Sequence, residues 1–348
     1  MNSEWRAFLE SQSARIDPDD QVRFPAATTT GEDRLVDLSD LGLIAADGPD
    51  AADFLQGQLT NDVRELSDRH TQLSGYCSPK GRMLANLRLI RLDETYLLQL
   101  PRTRLEPILT RLKRFILRSR TRLTDVSDDW VILGVVGPGT ARRLADLCGP
   151  LPDLDNGLVR REELVLIRIP GTPARFQLLG PPHRVKAIWQ ELCGQADPAD
   201  ADYWRLLDIR AGIPTVYTAT AELFVPQMAN MHLIDGVSFT KGCYTGQEVV
   251  ARMQYLGRSK RRMYLAEVTT DTPPRPGDEL FSPDSHSQQG TGWVVDARAA
   301  GDHRYELLAV VEIESAEQDH VHLGGIEGPL LQLTPPPYGF PADGERHF

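Results

Sequence analysis

Cysteine is scarce in this 348-residue chain, which has only Cys77, Cys148, Cys193 and Cys243. No two of them form a C-x-x-C pair, which argues against a local zinc or cluster-ligand motif. Four thiols in a chain of this size also argue against a disulfide framework and for a reducing compartment. Long apolar runs are missing as well. No window of about 20 apolar residues offers a membrane-spanning helix. The segment Met1-Asn2-Ser3-Glu4-Trp5-Arg6 has no basic stretch followed by an apolar one, so no signal peptide is expected. A cytoplasmic protein that does not enter a membrane is the expectation. Positive charge is the third shortage. The formal net charge is −11, which speaks against direct nucleic-acid binding, because phosphate neutralisation needs clustered Lys and Arg. What is present is ordinary globular composition, 41% hydrophobic and 25% charged. At roughly 100–200 residues per domain, two or three domains are expected.

Residues 1–34 read as a flexible lead-in with one short helix near Glu4 to Glu10. A domain begins near Leu35. Asp50 is placed to cap a helix carrying Ala51, Phe54, Leu55 and Leu59. Two strands follow, Leu84 to Leu92 and Thr95 to Leu100, with Asp93-Glu94 at the turn. Leu105, Ile108, Leu109, Leu112 and Phe115 share one helical face. Residues 128–196 read as a ferredoxin-like α/β domain in β-α-β-β-α order, with Thr140 as a helix cap. The first domain, 35–127, resumes over 197–256. Short strands among frequent Gly and Pro make 257–335 a small β-barrel, and 336–348 an irregular tail.

The strongest local signal is Lys241-Gly242-Cys243-Tyr244-Thr245-Gly246-Gln247-Glu248. Thr245 and Glu248 form a capping box, so a helix is expected to start at Thr245. Glu248 and Arg252 are spaced for an ion pair along it. Cys243 then lies just outside a helix N-terminus. The partial positive charge there, together with Lys241, would favour the thiolate. Gly242 and Gly246 allow a tight turn and close approach of a ligand. A small buried cysteine at a turn is the blander reading.

This octapeptide resembles the signature of the YgfZ family, folate-binding proteins of the aminomethyltransferase (T-protein) superfamily. That family is implicated in iron–sulfur protein maturation and in tRNA modification by iron–sulfur enzymes. Further stretches agree in order: Phe54 through Val63, Ser78-Pro79-Lys80-Gly81-Arg82, Leu117-Arg118-Ser119-Arg120, Arg210-Ala211-Gly212-Ile213-Pro214, Val225-Pro226-Gln227 and Tyr255-Leu256-Gly257. The resemblance implies an α+β, T-protein-like three-domain fold: two α/β domains around a central opening plus a C-terminal β-barrel. It implies tetrahydrofolate or a reduced derivative as ligand, contacted by Trp204, Asn61, Arg210 and Gln227. It also implies iron–sulfur proteins or their assembly factors as partners. Cys243 and Lys241 would carry the chemistry, Gly242, Tyr244, Thr245, Gly246, Gln247, Glu248 and Arg252 would shape the loop, and no metal ligands are assigned. The alternative is a tetrahydrofolate-dependent aminomethyltransferase. Against it, a true T-protein has no cysteine in this loop and an acidic residue where this chain has Arg210. Its catalytic aspartate would fall near Glu106, without an Asn-Arg-Asp context.

Four other features stand out. Trp204 could stack on a pterin or sit in a helix core beside Leu207. Arg111, Lys113, Arg114, Arg118, Arg120 and Arg122 could bind the glutamate tail of folate or RNA phosphate, or simply be solvated. Arg258, Lys260, Arg261 and Arg262 form a second basic run. Gly134-Val135-Val136-Gly137-Pro138-Gly139 sits between a strand and a helix like a dinucleotide loop, but lacks the G-x-G-x-x-G spacing.

Overall fold

The computed structural model describes residues 1–17, 20–25, 31–255, 259–285 and 290–340. Leu256, Gly257 and Arg258, parts of two sequence motifs named above, lie outside the described residues. The chain forms two compact units. The first comprises Met1–Ala52, Glu65–Gln72 and Arg88–Trp204, and the second Asp53–Arg64, Leu73–Leu87 and Arg205–Phe348. No helix among the described residues is long and apolar enough to cross a membrane.

The first unit holds a six-stranded sheet in the order Leu158–Arg161, Leu164–Ile169, Arg175–Gly180, Val131–Val136, Arg34–Asp37, Asp197–Ala199. The central strand is Val-Ile-Leu-Gly-Val-Val, buried throughout, as expected of a strand covered on both faces. The 128–196 stretch supplies four of the six strands and the helices Pro138–Cys148 and Pro182–Leu192. Leu158–Arg161 was not anticipated, because only its first residue is fully buried and its last two are exposed. A second set of strands places Leu41–Asp47 between Thr95–Pro101 and Arg122–Asp125, with helix Arg102–Lys113 following.

The helix near the start of the chain packs against the first unit, where the sequence suggested a flexible lead-in. Helix Ser3–Ser11 is capped by the Asn2 side chain, and it buries Trp5, Phe8 and Leu9. These join Trp189, Leu178 and Val185 in one core. The Trp5 indole N–H donates to Asp37 Oδ1 at 2.7 Å. Three apolar residues in a short polar helix are a weak pattern, but two of them are large aromatics, which dominate burial.

The second unit contains a six-stranded antiparallel sheet, curled into a half-barrel, where the sequence suggested a C-terminal β-barrel. Its order is His322–Leu323, Glu279–Phe281, Gly292–Gly301, Arg304–Glu312, Arg261–Thr269, Gln332–Thr334. The run Leu307 to Val311 is apolar without alternation because both faces are covered. Leu307, Ala309 and Val311 enter one core, while Leu308 and Val310 enter another with Cys77, Met83 and Phe224.

Candidate functional site

The second unit brings together several of the motifs found in the sequence. Helix Ala51–Gln56 ends early, and the following residues Gly57 to Asp62 turn back with carbonyls left over. Lys241 takes three of them. Its ammonium donates to the carbonyls of Gln56, Leu59 and Asn61 at 2.8, 2.7 and 2.8 Å. Lys241 is 7% exposed, and burial pulls its pKa down to about 8. The three carbonyls favour the charged form. The same nitrogen lies 5.2 Å from the centre of the Tyr244 ring. Lys241 was expected to keep Cys243 ionised, but its three protons are directed at backbone oxygens. Its role is to anchor one side of the loop.

Gly246 anchors the other side. Its φ is +83°, and a Cβ there would lie 2.4 Å from the Ser78 carbonyl oxygen and 2.9 Å from Gly81 Cα. Gly81, at φ +71°, has Val249 Cβ 2.8 Å from its own Cβ position. Backbone therefore packs on backbone, and neither glycine can take a side chain without displacing the other loop. Ser78-Pro79-Lys80-Gly81-Arg82 and the octapeptide thus meet through their glycines. Arg82 continues the link by donating to the Leu223 carbonyl at 2.6 Å.

Between the anchors, Gly242 and Cys243 are exposed. A side chain at Gly242 would meet nothing within 4 Å. Tyr244 turns inward and is 7% exposed, and burial raises its phenol. Cys77 has the opposite setting to Cys243. It is fully buried, and desolvation pushes its thiol up to about 12. The helix starts at Gln247, two residues later than expected, and runs to Tyr255. The positive φ of Gly246 ends the turn where the capping box would have placed helix. Among the described residues, no capping hydrogen bond joins Thr245 and Glu248 and no ion pair joins Glu248 and Arg252; Glu248 and Arg252 are exposed.

The expected folate contacts separate. Trp204 is 1% exposed and belongs to the core of the first unit, so the stacking role is corrected. A Cβ on Gly134 would fall 2.6 Å from its ring, and the Arg175 guanidinium lies 4.8 Å from the ring centre. The missing side chain at Gly134 makes the space that the indole fills. Asn61 is buried with its polar atoms used: Nδ2 donates to the carbonyls of Leu73 and Asp235, and Oδ1 accepts from the Asp62 N–H. Arg210 pairs with Glu306 at 2.7 and 2.8 Å. Gln227 is 3% exposed and donates to the Val250 carbonyl, while its buried Oε1 has no hydrogen-bond partner among the described residues.

Sequence reasoning missed Gln56. Its amide donates to Asp62 and accepts from the Val63 N–H, closing the turn whose carbonyls Lys241 holds. The Gln and Asn content of Phe54 to Val63 was the available signal. The glycine loop at 134–139 is also resolved. Asp33 Oδ1 accepts from the Thr140 N–H at 2.7 Å and from its hydroxyl at 2.9 Å. Thr140 lies inside the helix, not at its cap, and a carboxylate occupies the place a phosphate would need.

These arrangements belong to a known class of fold. Glycine cleavage system aminomethyltransferase T from Bartonella henselae has the same fold over 96% of both chains, with a TM-score of 0.76 at 18% identity. The family described as GCVT N-terminal domain matches residues 25–199. Within that class the chain belongs to the YgfZ family. It is 33% identical to tRNA-modifying protein YgfZ of Photorhabdus laumondii over 91% of this chain and 95% of that one. It is 32% identical to the protein of that name in Pectobacterium carotovorum, over 90% of this chain and 94% of that one.

Proposed function

We propose that this chain is a folate-binding factor whose Cys243 acts as an exposed thiol in iron–sulfur protein maturation and iron–sulfur-dependent tRNA modification. One observation carries the reading. Cys243 is exposed, while the loop that presents it is fixed by Lys241 on three carbonyls and by Gly246 against Ser78. A thiol kept in water on an immobilised loop suits attack on, or contact with, a partner's sulfur or metal centre. Space beside Gly242 admits that partner. The relatives' name, tRNA-modifying protein, supports the tRNA part of the reading.

Bound tetrahydrofolate would supply a carrier for a one-carbon unit. Gln227 would hold it with its Oε1, which accepts no hydrogen bond among the described residues, once its buried side chain turns toward the ligand. Arg210 would reach a folate carboxylate by sharing its guanidinium with Glu306. Asn61 shapes the turn below the loop.

Calorimetric titration with tetrahydrofolate and 5-formyl-tetrahydrofolate is the test of binding, with Gln227→Leu weakening it about tenfold. Cys243→Ser is expected to bind folate like the wild type yet fail to restore tRNA modification in cells lacking the protein. Restored modification removes the thiol role, and absence of folate binding removes the ligand. Turnover of an aminomethyl donor would favour the transferase instead.

A further inference from the structure

The end of helix Arg102–Lys113 carries a second candidate, away from Cys243 in sequence and in the first unit. The chain leaves the helix through a tight turn: the N–H of Phe115 bonds to the Leu112 carbonyl and that of Leu117 to the Phe115 carbonyl. Leu117 is 86% exposed and Phe115 42%. Lys113, Arg114 and Arg118 are exposed around them and make no ion pair among the described residues.

The next two cations of the run are neutralised. Arg120 pairs with Asp50 and Arg122 with Asp47. The Arg120 N–H also donates to Asp50 at 2.7 Å, and a Cβ on Gly48 would lie 2.1 Å from the Arg120 carbonyl oxygen. The tip is therefore held at both ends, by the helix before it and by the Asp50 contact after it. Folding leaves three cations and an apolar pair in water at one fixed place.

We propose that this tip is a docking point for a partner protein that offers an amphipathic helix whose apolar face is flanked by carboxylates. Leu117 and Phe115 are the anchors, and Lys113, Arg114 and Arg118 are the rim that sets orientation. Two neighbouring exposed apolar side chains ringed by cations give a partner apolar contact and charge complementarity at one place. A chain of net charge −11 repels extended anionic objects such as RNA or an anionic membrane. A local acidic rim needs only the three cations at the tip. An aliphatic Leu as the most exposed side chain also suits an apolar helix face better than a base stack.

The test uses a fluorescent amphipathic helical peptide of about 20 residues, with Leu and Phe on one face and Glu beside it. The intact chain is expected to bind it saturably, and binding is expected to weaken as salt rises from about 0.05 to about 0.5 M. Leu117→Ser and the pair Lys113→Glu with Arg118→Glu should each weaken it about tenfold or more. Leu117→Ser should leave the thermal transition unmoved, since so exposed a side chain holds nothing together. A version of the peptide with Lys in place of Glu should not bind. Any of four results overturns the proposal: no binding of the Glu peptide, equal binding by the variants, equal binding of the Lys peptide, or tighter binding of phosphatidylglycerol vesicles or single-stranded RNA through the same residues.

Discussion

Two loops in this protein lead through a positive-φ glycine into a helix, and they are built with opposite charges. In the first unit Gly137, at φ +100°, precedes helix Pro138–Cys148, and the space its Cβ would fill holds Asp33. That carboxylate accepts from the helix N-terminus and ends any capacity of the glycine loop to hold a phosphate. In the second unit Gly246 precedes helix Gln247–Tyr255, and the filled space holds backbone from Ser78 and Gly81. The fixed charge there is a cation, Lys241, which binds carbonyls beneath the loop. The first arrangement satisfies the helix end from within the chain. The second fixes a loop while leaving Cys243 in water. Similar glycine punctuation thus serves packing in one unit and presentation of a thiol in the other.

The contrast breaks most severely at Lys241. Replacing it with Met leaves three buried carbonyls without their donor. Removing a charged partner from buried acceptors costs about 4 kcal/mol. Urea unfolding of Lys241→Met should show that loss in the second unit. A cost under about 1 kcal/mol would mean that water replaces the ammonium and that the loop is not anchored there.

Gly246→Ala comes next. Its Cβ meets a carbonyl oxygen, which no rotamer can move, and an L residue is strained at φ +83°. Together these cost about 3 kcal/mol. Labelling of Cys243 by iodoacetamide should change in parallel, because the turn that presents it must shift. Gly242→Ala is the control, since its Cβ meets nothing within 4 Å. Equal effects from the two substitutions would place the demand for glycine in chain flexibility rather than in the contact with Ser78.

Much of this was legible beforehand, and the failures have physical causes. The octapeptide announced a turn leading into a helix because its glycines punctuate the chain, but the Thr245–Glu248 capping box does not form and the exposure of Cys243 was not legible. The partners of Lys241 were not legible, since backbone carbonyls have no sequence signature and lie about 180 residues away in Phe54 to Val63. Trp204 misled for a related reason. Nothing in its neighbourhood shows that Gly134, 70 positions earlier, leaves a hole of its size. The N-terminal helix was seen but its docking was not, because the acceptor for Trp5 is the single residue Asp37.

Asp37 offers a prediction that runs against habit. It is fully buried, and desolvation raises its pKa to about 6, although the Trp5 indole and Ser39 donate to it. A carboxyl raised above its unfolded value near 3.8 favours the fold when protonated. Its contribution is fully present below pH 3.8 and is lost as pH rises through about 6. Asp37→Asn should therefore raise the stability of the first unit at pH 7 by about 2 kcal/mol and flatten its decline between these pH values. Thermal melts across that range decide it, and a destabilised variant at pH 7 would mean that Ser39 and Trp5 hold the anion more strongly than burial opposes it.

Asp33 carries the smallest expected effect and the most direct check on the opening contrast. Asp33→Asn keeps an acceptor for Thr140 but removes the charge at the helix N-terminus, at a cost of about 0.5–1 kcal/mol that shrinks with salt. Asp33→Ala removes the acceptor too, and should cost about twice as much. The alanine variant also uncovers the N–H groups behind Gly137. If inorganic phosphate then protects that variant against heat and leaves the wild type unaffected, the glycine loop is an anion site that its own carboxylate has closed. If phosphate does nothing to either, the loop is shaped for Asp33 alone, and Gly137 and Gly139 are there because the carboxylate lies 2.5 and 2.6 Å from their Cβ positions.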